Sequence, residues 1–220
     1  MTVAQAVPYQ LSRLLLWLVF RGAYGLSVRG QRHVPRRGPC ILAGNHVSYL
    51  DPPLLGVACP RPIDFMARSS LFAKPLLGAY LRSIGAVPLR RGEADLGALR
   101  AAIVKLRRGG VVAIFPEGTR QLSGRLGQAK RGVGLLAMAA KAPIVPAVVQ
   151  GTFEAMGPTG PLRLRRSKIS VAFGPPIPYT LGSTVSGASR NAHQQLAEAV
   201  TTAWRQLAAQ LSSPTTLKTR

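Results

Sequence analysis

The chain has 220 residues, 47% of them hydrophobic, which suits one domain with a substantial core and excludes a disordered chain. Against 29 lysines and arginines stand only 7 aspartates and glutamates, and the resulting charge of +22 implies a polyanionic partner, either nucleic acid or an anionic membrane surface. Aromatic residues are 6% of the chain, with no zinc-finger cysteine spacing and no RNA-recognition aromatic motif, so no nucleic-acid partner is expected and lipid is favoured.

Residues 1–8 lack a basic leader and no small-residue cleavage site follows, so no signal peptide is expected. Residues 9–28 are mostly apolar but carry Arg13, Arg21, Gly22 and Gly25. They fall short of the roughly 20 uninterrupted apolar residues of a membrane span. On a helical wheel Gln10, Arg13, Trp17, Arg21 and Tyr24 gather within about 80°, leaving Leu11, Leu14, Leu15, Leu18, Val19 and Leu26 to form a wide apolar face. This pattern predicts an amphipathic, membrane-facing segment over 1–30. Trp17 and Tyr24 would sit at interfacial depth and the arginines at lipid phosphates, each basic group adding about 1 kcal/mol. The protein is therefore expected on the cytoplasmic face of the cell membrane, peripheral or monotopic. Cys40 and Cys59 have no C-x-x-C spacing and lie in apolar runs, as buried reduced thiols would.

Residues 39–44 read as a buried strand that delivers Asn45-His46-Val47-Ser48-Tyr49-Leu50-Asp51 at its carboxyl end, the usual place for a site in an α/β sheet. His46 and Asp51 are five residues apart, so an ideal helix would leave them about 140° out of line, and a strand would send them to opposite faces. The segment between them must curl. Asp51-Pro52-Pro53 suits the start of a helix over 52–58, with the acid near its N-cap. In such a turn Asp51 can hold one imidazole nitrogen of His46 and leave the other free to take a proton. A bare H-x-x-x-x-D spacing more often merely closes a turn, so a second signal is needed. Asn45 and Ser48 are expected to support the turn rather than react.

A strand over 63–67, continued by 68–72, is followed by a helix over 75–83. The spacing of Leu96, Leu99, Ile103 and Leu106 predicts a helix over 95–108, which Gly109-Gly110 ends. Val111-Val112-Ala113-Ile114 is a strand that opens into Phe115-Pro116-Glu117-Gly118-Thr119-Arg120, the second loop of this kind. A helix opens at 130–133, a core strand spans 143–149, and 152–167 is rich in turn signals. Leu162-Arg163-Leu164-Arg165-Arg166 would lie against lipid or form a solvated strand edge. Residues 168–173 alternate as a half-buried strand. A last helix over 191–211 carries Leu196, Val200, Trp204, Leu207 and Leu211 on one stripe, and His193 has no evident partner. These elements predict one layered α/β domain over 31–211, a mostly parallel or mixed sheet flanked by helices, with a mobile tail over 212–220.

The two loops together, N-H-x-S-x-x-D and then F-P-E-G-T-R, resemble the glycerophospholipid acyltransferases, specifically the bacterial 1-acylglycerol-3-phosphate acyltransferases, over roughly residues 35–180. The resemblance implies acyl transfer from acyl-CoA or acyl carrier protein to a lysophospholipid acceptor, with no cofactor beyond that thioester. It also implies a strand over 85–92. His46 would be the general base and Asp51 its orienter. Arg120 would bind the acceptor phosphate as a planar fork, with Gly118 and Thr119 offering donors and Arg68, Arg91 and Lys130 completing the cage. Glu117 would bond an acceptor hydroxyl or brace an arginine, the latter being favoured. Where the family carries an acid before the leucine and phenylalanine of its next segment, this chain has Ser70, and Arg68 stands where lysine is usual. The motif pair also tolerates a lyso-aminolipid or glycerol 3-phosphate as acceptor. The acyl tail would need an apolar groove, for which Leu54, Leu55 and residues 71–81 are candidates.

Overall fold

A computed structural model describes residues 3–90, 95–164, 167–183 and 189–212. Helix α1 (Val3–Tyr24) starts earlier than the wheel predicts and closes where the Gly25 N–H bonds the Arg21 carbonyl. Strand β1 (Ser27–Arg29) follows, inside the segment over 1–30 expected to be an amphipathic, membrane-facing helix. Then come β2 (Cys40–Gly44), α2 (Asp51–Ala58) and β3 (Ile63–Arg68). The strand ends at Arg68 instead of running on to Phe72, because Ser69–Leu71 turn into a single 3-10 helix. Helix α3 (Pro75–Ser83), β4 (Val87–Leu89) and α4 (Leu96–Arg107) are next, with Asp95 capping α4 by accepting from the Ala98 N–H at 2.9 Å. Strand β5 (Val111–Ile114), α5 (Gly132–Ala140), β6 (Ile144–Gln150), the short α6 (Thr152–Ala155), β7 (Ser170–Phe173) and α7 (Ser189–Ser212) complete the chain. The turn-rich stretch thus hides one short helix, and α7 takes Ser212 from the expected tail; residues 213–220 lie outside the described residues.

The seven strands form one mixed sheet in the order β1-β7-β6-β2-β5-β3-β4. From β6 to β4 all neighbours are parallel, whereas β7 runs antiparallel to β6. Strand β2 is central, its Leu42 level with Ala113 on one side and Val145 on the other, and all five of its residues are buried. A strand covered on both faces needs a continuous apolar run, which is what 40–44 supplies. Cys40 and Leu42 face a layer with Phe20, Tyr24, Leu54 and Leu55, while Ile41 and Ala43 face Leu106, Leu136, Leu196 and Trp204. The Trp204 indole N–H donates to the Ala43 carbonyl at 2.9 Å, pinning α7 to the strand that carries the histidine. Trp204→Ala should cost about 3–5 kcal/mol, read as a lower urea midpoint with an unchanged slope.

Helix α1 packs against α2 and α3 with Tyr9, Leu16 and Phe20 inward, so the predicted polar edge flanks the contact: Gln10, Trp17 and Arg21 stay exposed, while Arg13 is half-buried and Tyr24 covered. Tyr24 is buried beside Phe20, not interfacial. Arg13 donates to the Cys59 carbonyl at 2.8 Å and Arg21 to the Leu26 carbonyl at 3.2 Å. For Arg13 the reason is local: Cys59 caps the carboxyl end of α2, where carbonyls have no partner within the helix, and the guanidinium reaches its carbonyl. The apolar face points outward, with Val7, Leu11, Leu14, Leu15, Leu18 and Val19 each at least half exposed. Among the described residues no helix is long and apolar enough to cross a membrane. The two cysteines are buried and free, and burial pushes the Cys40 thiol up to about 12 and that of Cys59 to about 11.

Candidate active site

Because β2, β5, β3 and β6 run parallel, their carboxyl ends share one edge of the sheet, and the loops that leave that edge build the site. Asn45 leaves β2 and is locked to β6, donating to the Val149 carbonyl at 3.2 Å and accepting from its N–H at 2.7 Å. The chain then curls as the spacing requires. Asp51 is the first residue of α2 and not its cap, and its carboxylate turns back into the curl. Asp51 Oδ2 lies 2.9 Å from His46 Nδ1 and accepts from the N–H groups of Val47 and Ser48 at 2.7 and 2.8 Å. Since Oδ2 only accepts, Nδ1 carries the hydrogen and Nε2 is the free base. Ser48 supports the turn as expected, accepting from the Leu50 N–H and donating to the Met156 carbonyl at 2.6 Å.

The second loop clasps the first. Glu117 does not brace an arginine: its Oε2 accepts from the His46 N–H at 3.0 Å and its Oε1 from the Gly127 N–H at 2.9 Å. The Gln121 N–H donates to the His46 carbonyl at 2.8 Å, so both backbone groups of the histidine are held by this loop. Burial raises the Glu117 carboxyl above its ordinary value, and the N–H groups of Gly127 and His46 pull it part of the way back. Phe115 stacks on the imidazole with ring centres 4.2 Å apart, fixing the plane of the base. The side chain of His46 is 11% exposed, which leaves it within reach of a substrate while most water is excluded.

Arg120 follows on the same loop. Its guanidinium lies 3.6 Å over the Tyr49 ring and its Nη1 donates to the Pro158 carbonyl at 2.8 Å, so the fork is already held flat. Gly118 and Thr119 are exposed beside it. Gly118 has φ 81, and a Cβ placed there would come within 3.0 Å of Lys130 Nζ, so the ammonium lies against the glycine of this loop. Arg68 ends β3 at the same edge and is exposed, with no hydrogen bond to either motif loop among the described residues. Arg91 lies outside the described residues. Leu54 and Leu55 are core residues and line no groove, whereas Leu76, Leu77 and Tyr80 on α3 are exposed, with the Tyr80 hydroxyl donating to Ser12 of α1 at 3.0 Å.

The acyltransferase family model matches residues 25–150, more than half of the chain. The chain belongs to the acyltransferase family. Among its relatives is a chloroplast 1-acyl-sn-glycerol-3-phosphate acyltransferase of Brassica napus, 32% identical over 62% of this chain and 40% of the relative. An enzyme of that name from Bacillus subtilis is 30% identical over 70% of this chain and 74% of its own length. A lyso-ornithine lipid O-acyltransferase of Pseudomonas aeruginosa is 36% identical over 49% of this chain and 42% of the relative. The chain thus spans about two fifths of the chloroplast relative it matches. In structure it resembles the 1-acyl-sn-glycerophosphate acyltransferase PlsC from Thermotoga maritima, with a TM-score of 0.72, 24% identity, and coverage of 95% of this chain and 81% of that one, a likeness of fold.

Several residues of this candidate site were silent in the sequence. Thr152 donates from Oγ1 to Asp51 Oδ1 at 2.7 Å, 101 residues away in the chain. Phe115, Tyr49, Gly127 and Pro158 act through stacking or backbone atoms, which no spacing rule reports. For Thr152 one signal existed: like Asn45, it is a polar residue just past an apolar strand.

Proposed function

We propose that this chain transfers an acyl group from an acyl thioester, on coenzyme A or acyl carrier protein, to the free hydroxyl of 1-acylglycerol 3-phosphate, giving phosphatidate. The observation that carries this reading is the His46 ring held by Asp51 at 2.9 Å beside a loop that presents Arg120. His46 Nε2 takes the acceptor's hydroxyl proton as its oxygen bonds to the thioester carbonyl carbon. The tetrahedral adduct then collapses, the C–S bond breaks, and the same proton passes to the departing thiolate. Asp51 stabilises the imidazolium throughout, and no residue needs to carry the acyl group. The phosphate of the acceptor meets the free edge of the Arg120 fork and the Lys130 ammonium.

The outward apolar face of α1 supports attachment to an anionic membrane, the bilayer receiving Leu11, Leu14 and Leu18 while the basic surface meets headgroups. Deleting the helix would strip Phe20 and Tyr24 from the core, so point changes are the better test. Leu11→Gln, Leu14→Gln and Leu18→Gln combined should abolish sedimentation with anionic vesicles and leave thermal unfolding unchanged.

A second acceptor is favoured by the lyso-ornithine lipid relative. Assaying the purified protein with an acyl thioester against lysophosphatidate, glycerol 3-phosphate and a lyso-ornithine lipid separates the two. Phosphatidate as the main product supports the reading, and an acylated aminolipid replaces it with the second.

A further inference from the structure

We propose that Thr152 is a positioning residue for the transfer: it holds the Asp51 carboxylate in the rotation that serves His46, and acts on turnover without touching substrate. The proposal rests on the acyl-transfer reading above.

An aspartate carboxylate turns easily about its last side-chain bond, whose energy wells are broad. Three donors converge on Asp51 Oδ2, namely His46 Nδ1 and the N–H groups of Val47 and Ser48, but all three grip one oxygen. A group held by one corner can still swing. The Thr152 hydroxyl supplies the second hold, on Oδ1 at 2.7 Å, and both residues are fully buried, so water does not replace it. Threonine suits the task because branching at Cβ stiffens its side chain and gives the hydroxyl a fixed direction.

The backbone beneath Thr152 is set as firmly. Gly151 has φ 85, and a Cβ there would come within 2.1 Å of the Lys168 carbonyl oxygen, so only glycine lets β6 turn into α6 at this point. Past that helix the same strand of chain accepts from Ser48 Oγ at the Met156 carbonyl and from Arg120 Nη1 at the Pro158 carbonyl. Residues 151–158 therefore form a brace, outside both motif loops, that grips the acid, its turn and the arginine within eight positions. Thr152 is the member of the brace that reaches the proton-transfer pair.

The test compares Thr152→Val, Thr152→Ser and Thr152→Ala with the wild type, using an acceptor that the wild type turns over. Failure of the lysophosphatidate reading then shows in the wild type, and failure of this proposal shows only as a lack of difference between variants. Removing one hydrogen bond to a charged group should lower kcat about tenfold to a hundredfold in Thr152→Val, with the KM values for acceptor and thioester unchanged. Thr152→Ser, which restores the hydroxyl, should recover most of that loss. In an Asp51→Asn background Thr152→Val should cost much less, because the group it positions no longer serves. The proposal is overturned if Thr152→Val and Thr152→Ala keep wild-type kcat, if serine falls as far as valine, or if the valine penalty is the same with Asn at position 51.

Discussion

His46→Ala is expected to lower kcat by roughly 10² to 10⁴-fold, the contribution of a general base, while the protein keeps its unfolding temperature. The geometry explains why the two effects separate. The backbone N–H and carbonyl of residue 46 are held by Glu117 and Gln121 whatever side chain is present, so the clasp between the motif loops survives. Asp51 loses one of four donors and retains the N–H groups of Val47 and Ser48 and the hydroxyl of Thr152. Phe115 loses its stacking partner, a small packing cost. What disappears is the free Nε2 that the proposed mechanism uses to take the acceptor's proton. Steady-state acyl transfer together with thermal unfolding checks both halves; a variant with undiminished turnover would remove His46 from the reaction.

Arg120→Ala is expected to act on the other parameter, raising KM for a phosphate-bearing acceptor by about tenfold to a hundredfold, the worth of one hydrogen bond to a charged group, with a smaller effect on kcat. The guanidinium is preorganised by the Tyr49 ring and the Pro158 carbonyl, which leaves its other donors for the phosphate without further ordering cost. Arg120→Lys should restore little, because an ammonium has neither the fork nor the flat face. An acceptor without a phosphate should be indifferent to both changes. KM values for the two kinds of acceptor check this, and equal losses on both would show that Arg120 serves the fold and not the headgroup.

Much of this architecture is legible in the chain. The apolar runs at 40–44 and 111–114 are strands because both faces of the sheet are covered, and each motif follows one of them as the carboxyl ends of parallel strands require. The five-residue spacing of His46 and Asp51 forced a curl, and the curl is there. Other features depend on contacts distant in sequence. β1 is three residues of unremarkable composition, a strand only because Ser27–Arg29 lies beside β7. The polar edge of α1 was readable, but not which of its members would be covered: Arg13 reaches the Cys59 carbonyl just past α2 and Tyr24 is buried, while Trp17 stays exposed. Glu117 illustrates the same limit, since an acid among basic residues suggests an ion pair, whereas its partners are two backbone N–H groups that a sequence pattern does not display. Leu54 and Leu55, apolar and close to the motif, suggested a groove, but one face of a buried helix is core.

The account holds that the acceptor alcohol attacks the thioester directly, with the Asp51-held imidazole of His46 as its base. An acid-quenched single-turnover experiment with labelled acyl thioester tests this most directly. Without acceptor, the account predicts no acyl group on the protein and no burst of free thiol; with lysophosphatidate, thiol and labelled phosphatidate appear together at one rate. Stoichiometric thiol release and an acylated protein in the absence of acceptor would contradict it.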